Sequence, residues 1–491
     1  MTTATLGWVA VALYFLITIA LAVRGARRTR SLATYAVGDR SIPAWVIGLS
    51  LAAQLTSVAT FVVNPGLVYA FGLSALFGYG VSAGLGIMLG LVALSRRFRG
   101  HGVRVQALTV PQWIGARYES TALRALFAVL SLGLVTFATL IVVALSVVLA
   151  RLLDLPPGWV AVGLTTIVVT GVMLGGATGH AWTNAVQASI MAVVAVLMIA
   201  NGLPLLAAEP GAGARLAAID PNFLRPVNPA SPYFRNVFEV FFCNFLVGVA
   251  IVCQPHIMSK ALYVRGDREV RTYLGTAIAC GAVFTTVLVT GVWARLSLAQ
   301  PAAIDRAIPA WIATAFPGPL QVLIAVGLLC AGLSTLEGIF LALSTTFSAD
   351  FYPLLARERR DRTAFMVGRA GLAAVGVVTV LLAIWQLEHP TGGSVAIFAQ
   401  YGVYLLFSAS FLPLACGMFV PRAGRALVTA GVLATLAGYV VVAAFRISPF
   451  HNNPGFLATV GMLLGWAAVG AGLILRGRPA GDVAAVEEAH R

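Results

Sequence analysis

Long apolar runs alternate with short polar connections along this whole chain. A helix needs about 20 predominantly apolar residues to cross the roughly 30 Å hydrocarbon core of a bilayer. The runs that reach this length lie at 6–23, 42–70, 74–95, 122–150, 157–175, 182–205, 237–258, 273–296, 318–347, 366–387, 394–419, 426–445 and 455–475. The pattern therefore predicts an all-α polytopic membrane protein with about 13 transmembrane helices.

The composition excludes soluble and disordered classes of protein. Of the 491 residues, 59% are hydrophobic and only 10% are charged, and the mean hydropathy is +0.92. Soluble domains carry roughly 25% charged residues, because they must cover their surface with polar side chains. We therefore expect one transmembrane domain over 1–491 that is surrounded by lipid and has no large extramembrane part.

The basic residues predict how the chain is oriented. Lys260 is the only lysine among 32 basic residues, and the formal net charge is +15. Basic residues cluster in alternate connections, which the positive-inside rule places in the cytoplasm. The clusters run from Arg24 to Arg40, Arg96 to Arg117, Lys260 to Arg271, Arg357 to Arg362 and Arg422 to Arg425, with Arg476 and Arg478 after the last run. We expect a multi-pass protein of the cell (inner or plasma) membrane with its N-terminus outside and its C-terminus cytoplasmic.

The first apolar run is predicted to be a helix, although Ala20-Leu21-Ala22 resembles the cleavage site of a signal peptide. A signal peptide carries positive charge before its apolar stretch, whereas here the arginines follow it. The basic clusters are explained by topology, and no polar domain is available to present them to nucleic acid. We expect no nucleic-acid partner and no obligate protein partner.

Two predicted spans contain helix-breaking residues at membrane depth. Asn64-Pro65-Gly66 lies in the second span and Gln254-Pro255-His256 lies in the seventh. Backbone groups that a break releases must be buried in protein or line a cavity. Broken helices in corresponding halves of a chain mark the binding site of many secondary transporters. A simple proline kink explains each break equally well when it is taken alone.

Glu337 is the most costly polar residue within a predicted span, because an unpartnered ionisable group in hydrocarbon costs at least a few kcal/mol. Its position predicts a functional role, and the alternative is a protonated carboxyl group that joins two helices by a hydrogen bond. One stripe of the same helix carries Ala331, Ser334 and Thr335. Their oxygens suit a small hard cation, although hydroxyls in membrane helices also bond back to their own chain.

Motifs of other function classes are missing or lie in the wrong context. The phosphate-binding loop of a primary pump, G-x-x-x-x-G-K-[ST], does not occur, and neither does H-E-x-x-H. The pattern G-x-S-x-G occurs at Gly80-Val81-Ser82-Ala83-Gly84, but within a predicted transmembrane helix and not at the strand-to-helix turn that a hydrolase nucleophile needs. The six histidines are scattered and form no metal-binding pair. We therefore expect no enzymatic activity and no cofactor, apart from a coupling ion.

Several segments together resemble the sodium:solute symporter family, which includes the sodium/proline, sodium/pantothenate, sodium/galactose and sialic-acid symporters. The segments are Tyr35-Ala36-Val37-Gly38-Asp39-Arg40, Gly48-Leu49-Ser50, Thr60-Phe61, Pro65-Gly66-Leu67-Val68-Tyr69, Trp182-Thr183-Asn184-Ala185-Val186-Gln187, Gln254-Pro255-His256-Ile257, Leu333-Ser334-Thr335-Leu336, Ala349-Asp350-Phe351-Tyr352 and Phe411-Leu412-Pro413-Leu414. The resemblance implies a leucine-transporter-type fold with a five-plus-five inverted repeat. Its expected parts are an extra N-terminal helix at 6–23, repeats at 42–205 and 237–419, two C-terminal helices in 426–475 and a cytoplasmic tail at 476–491.

The resemblance also implies a sodium site between the break of the second span and the ninth span. The matching positions are Ala53, Thr56, Ala331, Ser334 and Thr335. Some members carry a second cation site, built from an aspartate and two small hydroxyl residues. This chain has Asn184 at the aspartate position and Glu337 and Gly338 at the hydroxyl positions. Our hypothesis is that Asn184 and Glu337 form a relocated second cation or proton site, and a hydrogen-bonded structural pair is the alternative.

The solute is expected to bind between the broken helices. The candidate lining residues are Gln54, Ser57, Thr60, Tyr79, Phe242, Asn244, Gln400 and Tyr401. Ser57 and Thr60 match positions that meet the substrate carboxylate in a sialic-acid symporter, whereas Leu246 replaces a sugar-binding polar residue. We expect sodium-coupled symport of a small organic solute, a monocarboxylate or an amino acid, by alternating access. The alternatives are proton-coupled symport through Glu337 and a membrane solute sensor that does not transport.

Overall fold

The computed structural model describes residues 2–299, 302–356, 360–389 and 395–475, and these contain helices, turns and bends but no strand. Part of the basic cluster from Arg357 to Arg362 lies outside the described residues. The predicted tail at 476–491, with Arg476 and Arg478, lies outside them as well.

The number of spans agrees with the hydropathy pattern. Ten helices of the described residues are long and apolar enough to cross a membrane, and two bent helix pairs raise the number to 12. One of the ten contains Pro157–Gly202, 46 residues that would extend about 69 Å as a straight helix, more than twice a bilayer core. The non-helical backbone of Gly176 divides it into two spans. The described part of the chain therefore holds about 13 spans, as predicted.

We number the spans α1 to α13, and the halves of the bent pairs are labelled a and b. They are α1 Thr3–Ala26, α2a Ala44–Leu55 and α2b Ala59–Phe71, α3 Leu73–Arg104, α4 Thr121–Leu153, α5 and α6 before and after Gly176 in Pro157–Gly202, α7a Phe238–Ile251 and α7b Pro255–Tyr263, α8 Asp267–Ser297, α9 Gly318–Leu355, α10 Asp361–Glu388, α11 Ile397–Phe419, α12 Arg425–Ala444 and α13 Pro454–Leu475. Shorter helices lie in the connections, at Leu32–Val37, Val110–Arg117, Ala212–Ile219, Pro221–Leu224 and Ile304–Ala315.

α9 is the central helix of the molecule. Of an apolar stretch of 18 residues in α9, 89% is buried inside the protein. The corresponding share for α1 is 22%, so α1 faces outward along most of its length. Helices approach closely around this core where small residues meet. A side chain on Gly86 of α3 would overlap the carbonyl of Phe245 in α7a, and one on Gly248 would overlap the carbonyl of Ala83. Packing of this kind holds membrane helices together, because lipid provides no hydrophobic force between them.

The two bent spans lie at equivalent places, near the start of each predicted repeat. α2a and α2b meet at 54°, and α7a and α7b meet at 56°. The second bend falls at Gln254-Pro255, as predicted. The first falls at Thr56, whose φ of −110° and ψ of 88° are not helical. The break predicted from residue types at Asn64-Pro65-Gly66 is therefore wrong, whereas the break that the resemblance implied at Ala53 and Thr56 coincides with the observed bend. Pro65 lies inside α2b, directly after the π-helical turn Ala59–Val63, where the backbone hydrogen bonds already depart from the regular α-helical ladder that proline cannot join.

Candidate functional site

The bend of α2 brings backbone carbonyls to the centre of the protein. α2a ends at Leu55, and the hydroxyl of Ser57 accepts a hydrogen bond from the Ala59 amide at 3.1 Å, which caps the start of α2b. The last turn of an interrupted helix has carbonyls with no helical donor. In α2 the Gln54 carbonyl faces α9, and so does the Ala53 carbonyl, which also accepts from the Thr56 amide at 3.2 Å.

Two adjacent hydroxyls of α9 meet these carbonyls. Ser334 Oγ lies 2.9 Å from the Ala53 carbonyl and 3.0 Å from the Ala331 carbonyl of its own helix, and its single proton can be donated to either. Thr335 Oγ1 donates to the Gln54 carbonyl at 3.1 Å, and the Ala331 carbonyl is 3.5 Å away. Ser334 and Thr335 are fully buried. Three carbonyls and two hydroxyls thus converge from segments that are 281 positions apart in the chain.

This cluster has the chemistry that a sodium ion requires. All five atoms are neutral oxygens, and hard cations prefer oxygen ligands. An ion can bind when the hydroxyl protons turn away from the carbonyls. Of the five predicted positions, Ala53, Ala331, Ser334 and Thr335 are joined directly by hydrogen bonds, whereas Thr56 lies at the bend and lines the neighbouring cavity. Sequence reasoning missed the Gln54 carbonyl, because its contact with α9 depends on the direction of the bend.

A cavity of ≈ 410 Å³ lies beside the oxygen cluster, between the two bent spans and α3, α8 and α11. Among the described residues, no Asp, Glu, Lys, Arg or His lines it. Its polar lining consists of Thr56, Ser57, Thr60, Asn64, Tyr79, Asn244, Gln254, Thr285, Gln400 and Tyr404. The hydroxyl of Tyr79 on α3 and the side chain of Gln400 on α11 both line it and face each other across the cavity wall. The cavity can hold a small solute and offers it uncharged hydrogen-bonding groups.

Five of the eight predicted solute-binding residues line this cavity, namely Ser57, Thr60, Tyr79, Asn244 and Gln400. The other three lie elsewhere. The Gln54 amide packs against Gly338, Phe242 stacks on Phe238 with 44% of its surface exposed, and the Tyr401 hydroxyl donates to the Asn452 carbonyl. Neighbouring helical residues point about 100° apart, so residues next to a lining position face other directions. The structure adds Asn64, Gln254 and Tyr404, and the first two belong to the helix-breaking segments of the sequence.

Asn244 stabilises a π-helical turn at the edge of the cavity. Its Nδ2 donates to the carbonyl of Glu239 at 2.8 Å and to that of Val240 at 3.3 Å, and both belong to the π-helix Phe238–Cys243. π-helical turns release carbonyls from the regular helical ladder. The side-chain nitrogen of Asn244 therefore donates to the backbone of α7a. Only the side-chain oxygen remains available, and it can accept a hydrogen bond from a solute.

Replacing Asn244 by alanine is expected to lower the free energy of unfolding by about 1–3 kcal/mol, because the two buried carbonyls lose their donor. The measurement is the thermal unfolding midpoint of the purified protein in detergent. Asn201→Ala is the matched control, since Asn201 is exposed and donates one long bond, 3.4 Å, to the Ala315 carbonyl. Equal midpoints for the two variants would contradict the role of Asn244.

Glu337 has partners other than the predicted Asn184. Its carboxylate lies 3.3 Å from Nδ1 of His180 and 3.4 Å from Nε2 of Gln187, which also donates to the Tyr14 hydroxyl at 2.7 Å. The amide of Asn184 instead donates to the carbonyls of Ser50 and Ser334. No hydrogen bond joins Asn184 to Glu337 in the described part of the chain, so the alternative of a hydrogen-bonded structural pair is not formed, and the second cation or proton site at these two residues stays a prediction.

Lys260 is buried, although its sequence context predicted a position in a cytoplasmic connection. The sequence places it at the start of a cytoplasmic basic cluster, whereas the structure buries it in α7b with 1% of its surface exposed. Its ammonium group donates to Ser50 Oγ at 2.7 Å and lies 5.0 Å from the centre of the Tyr263 ring. The hydropathy and charge pattern did not predict this position, and the single signal in the sequence is that Lys260 is the only lysine of the chain.

Known proteins resemble this chain along most of its length. The family model described as the sodium:solute symporter family matches residues 35–435. The sodium/pantothenate symporter of Haemophilus influenzae is 24% identical over 87% of this chain and 87% of its own length. The high-affinity proline transporter of Bacillus subtilis is 26% identical over 88% of this chain and 92% of its own length.

The fold matches a solved structure as well. A Na+-coupled sialic acid symporter in a substrate-bound outward-open state superposes with a TM-score of 0.79 at 16% sequence identity, and the match covers 94% of this chain and 96% of the other. The predicted all-α, leucine-transporter-type fold is confirmed. The family match and the apolar helices both indicate that this is a multi-pass membrane protein. The chain belongs to the sodium:solute symporter family.

Proposed function

We propose that this protein is a secondary active transporter that couples the symport of a small organic solute to sodium by alternating access. The observation that carries the proposal is the convergence of Ser334 and Thr335 with the carbonyls at the bend of α2. The ion and the solute would bind next to each other, because Thr56 belongs to the bend and also lines the cavity. Ion binding can therefore change the arrangement of α2a and α2b, and with it the affinity of the cavity for the solute.

We further propose that the solute is a monocarboxylate or an amino acid. The cavity of ≈ 410 Å³ falls at the small end of the range for ligand pockets, roughly 300–1,000 Å³. α2b starts beside Ser57, and helix N-termini with free N–H groups favour anionic groups. The similar transporters of Haemophilus influenzae and Bacillus subtilis are named for pantothenate and proline, which both carry a carboxylate. A solute carboxylate placed between Ser57 and Thr60 would meet hydroxyl donors and no fixed negative charge.

The arginine distribution supports an orientation with the N-terminus outside and the C-terminus in the cytoplasm. In this orientation α2a and α7b would lie on the cytoplasmic side of the two bends, and α2b and α7a would lie on the outer side.

Transport in proteoliposomes tests the proposed function. Radiolabelled acetate, lactate, proline and pantothenate would be supplied outside, with an inward gradient of sodium or, as controls, of potassium or choline. We expect one of these carboxylates to accumulate with sodium alone, and Ser57→Ala to raise its KM about tenfold or more, since a buried hydrogen bond to a charged group is lost. Ser189→Ala is the matched control, because Ser189 is exposed and bonds to the Ala185 carbonyl of its own helix.

Two results would contradict this proposal. Accumulation driven by a proton gradient without sodium would support the proton-coupled alternative. Sodium-dependent binding of a carboxylate with no accumulation in the vesicles would support a solute sensor.

A further inference from the structure

The side chain of Gln254 ends in a buried oxygen that has no hydrogen-bond partner among the described residues. Gln254 lies at the bend of α7, lines the cavity and has 1% of its surface exposed. Its Nε2 donates to the Ile251 carbonyl at 3.2 Å, and this contact fixes the orientation of the amide, because the reverse orientation would place two oxygens against each other. A solute that displaces water from Oε1 must therefore offer a donor in its place, or it loses affinity.

The same side of α7 presents a second amide oxygen. Asn244, Gly248, Ile251 and Gln254 all line the cavity, and successive members of this set are three or four positions apart, so they lie on one stripe of the helix and its bend. The side-chain nitrogen of Asn244 donates to the backbone of α7a, as that of Gln254 does, and the oxygen remains. α7a also ends at the bend, where the last carbonyls of a helix carry partial negative charge. The α7 side of the cavity therefore accepts hydrogen bonds and favours positive charge.

The α2 side of the cavity has the opposite polarity. α2b begins at its bend, and the first N–H groups of a helix carry partial positive charge. Ser57 Oγ accepts from the Ala59 amide, which leaves its own proton for a solute, and Thr60 adds a second hydroxyl to the lining. Donors on α2 and acceptors on α7 thus line one cavity of ≈ 410 Å³.

A molecule with an anionic and a cationic end complements this arrangement. A monocarboxylate would pair with α2 and leave the oxygens of Gln254 and Asn244 without donors. Among the described residues no Asp or Glu lines the cavity, so dipolar oxygens are the groups that can receive a cationic end. Most of the remaining lining residues are apolar, Phe137, Leu140 and Leu288 among them, and they favour an apolar body between the two ends.

We propose that the solute is a small apolar amino acid, bound as a zwitterion, and that Gln254 selects it by accepting a hydrogen bond from the ammonium group. The carboxylate then lies beside Ser57 and Thr60, and the ammonium group lies between the bend of α7 and Asn244. The inference rests on the proposed function and narrows its solute class to amino acids.

Pairs of carboxylates that differ in the amino group alone test the inference. The pairs are alanine and propionate, valine and 3-methylbutanoate, and proline and cyclopentanecarboxylate, and the measurement is the thermal stabilisation of the purified full-length protein by each compound in sodium. We expect at least one amino acid to bind, with a Kd at least about 100-fold below that of its partner, because a site built to bond an N–H rejects the analogue that lacks it.

Two kinds of result would contradict different claims. An analogue without the amino group that binds as tightly as its amino acid would overturn the inference and leave the proposed function intact, and so would binding of lactate or pantothenate but of no amino acid. No sodium-dependent binding of any of these carboxylates would contradict the proposed function itself.

Gln254→Leu tests the selecting residue directly. It should weaken binding of the amino acid about tenfold or more and leave binding of its partner unchanged, so the discrimination falls by the same factor. Gln321→Leu is the matched control, because Gln321 also donates to a backbone carbonyl, that of Phe316 at 2.8 Å, but lies at the start of α9 outside the cavity lining. Unchanged discrimination in Gln254→Leu, or an equal loss of affinity for both members of a pair, would overturn the inference. If Gln254→Leu does not fold, the ratio of the two Kd values in the wild-type protein still decides it.

Discussion

Thr335→Ala is expected to abolish the stabilisation of this protein by sodium. A ligand that binds only the folded state raises the free energy of unfolding by RT ln(1 + [L]/Kd), which is about 2.7 kcal/mol at a hundredfold excess over Kd. Thr335 Oγ1 lies at the bend of α2 and contacts the Gln54 carbonyl at 3.1 Å. Without this oxygen the predicted ion loses one of its two hydroxyl ligands. Thermal unfolding in detergent, titrated with sodium and with potassium or choline as ionic-strength controls, measures the effect.

Thr345→Ala is the matched control for this experiment. Thr345 is also buried on α9, but its hydroxyl bonds to the Leu341 carbonyl of its own helix at 2.8 Å. Removal of its hydroxyl should leave the sodium-dependent shift unchanged. A shift of wild-type size in Thr335→Ala, or a shift that potassium reproduces, would show that the stabilising ion does not bind at this cluster.

Asp350→Asn is expected to destabilise the folded protein by about 3 kcal/mol. Asp350 is fully buried at the end of α9, where its carboxylate accepts from Arg124 Nε and from the Thr109 hydroxyl, each at 2.8 Å. Arg124 also donates to the Ala349 carbonyl, and its side chain is 21% exposed. Loss of the carboxylate charge leaves this guanidinium without a counter-charge in a largely buried position, which costs about 3–5 kcal/mol in buried pairs. The unfolding midpoint in detergent measures the effect.

The surface pair of Arg28 and Asp39 provides the control. Its atoms are 3.7 Å apart and the arginine side chain is 56% exposed. Exposed pairs contribute about 0–1 kcal/mol, so Asp39→Asn should change the midpoint much less than Asp350→Asn does. If the two variants have equal midpoints, the Arg124–Asp350 pair does not hold the end of α9 to α4.

Hydropathy and charge were sufficient to predict the spans. Each span needs about 20 apolar residues in succession, and that property is local in sequence. The broken α7 was also predicted, because Pro255 cannot donate the backbone hydrogen bond that a continuous helix requires. The break of α2 falls at Thr56, which has no such restriction. Its position is supported by partners on α9, and a hydropathy pattern contains no information about them.

The sequence by itself determined the fold class, the number of spans and the residue types near the two bends. Only the tertiary structure decided which side chains meet. Gln54 turned towards Gly338 and away from the cavity, Glu337 joined His180, and Lys260 reached Ser50 across 210 positions of the chain. These contacts depend on the rotation of each helix about its axis and on the direction of the two bends. Both are set by packing between distant segments, whereas the apolar pattern that places a helix in the membrane is a property of each segment alone.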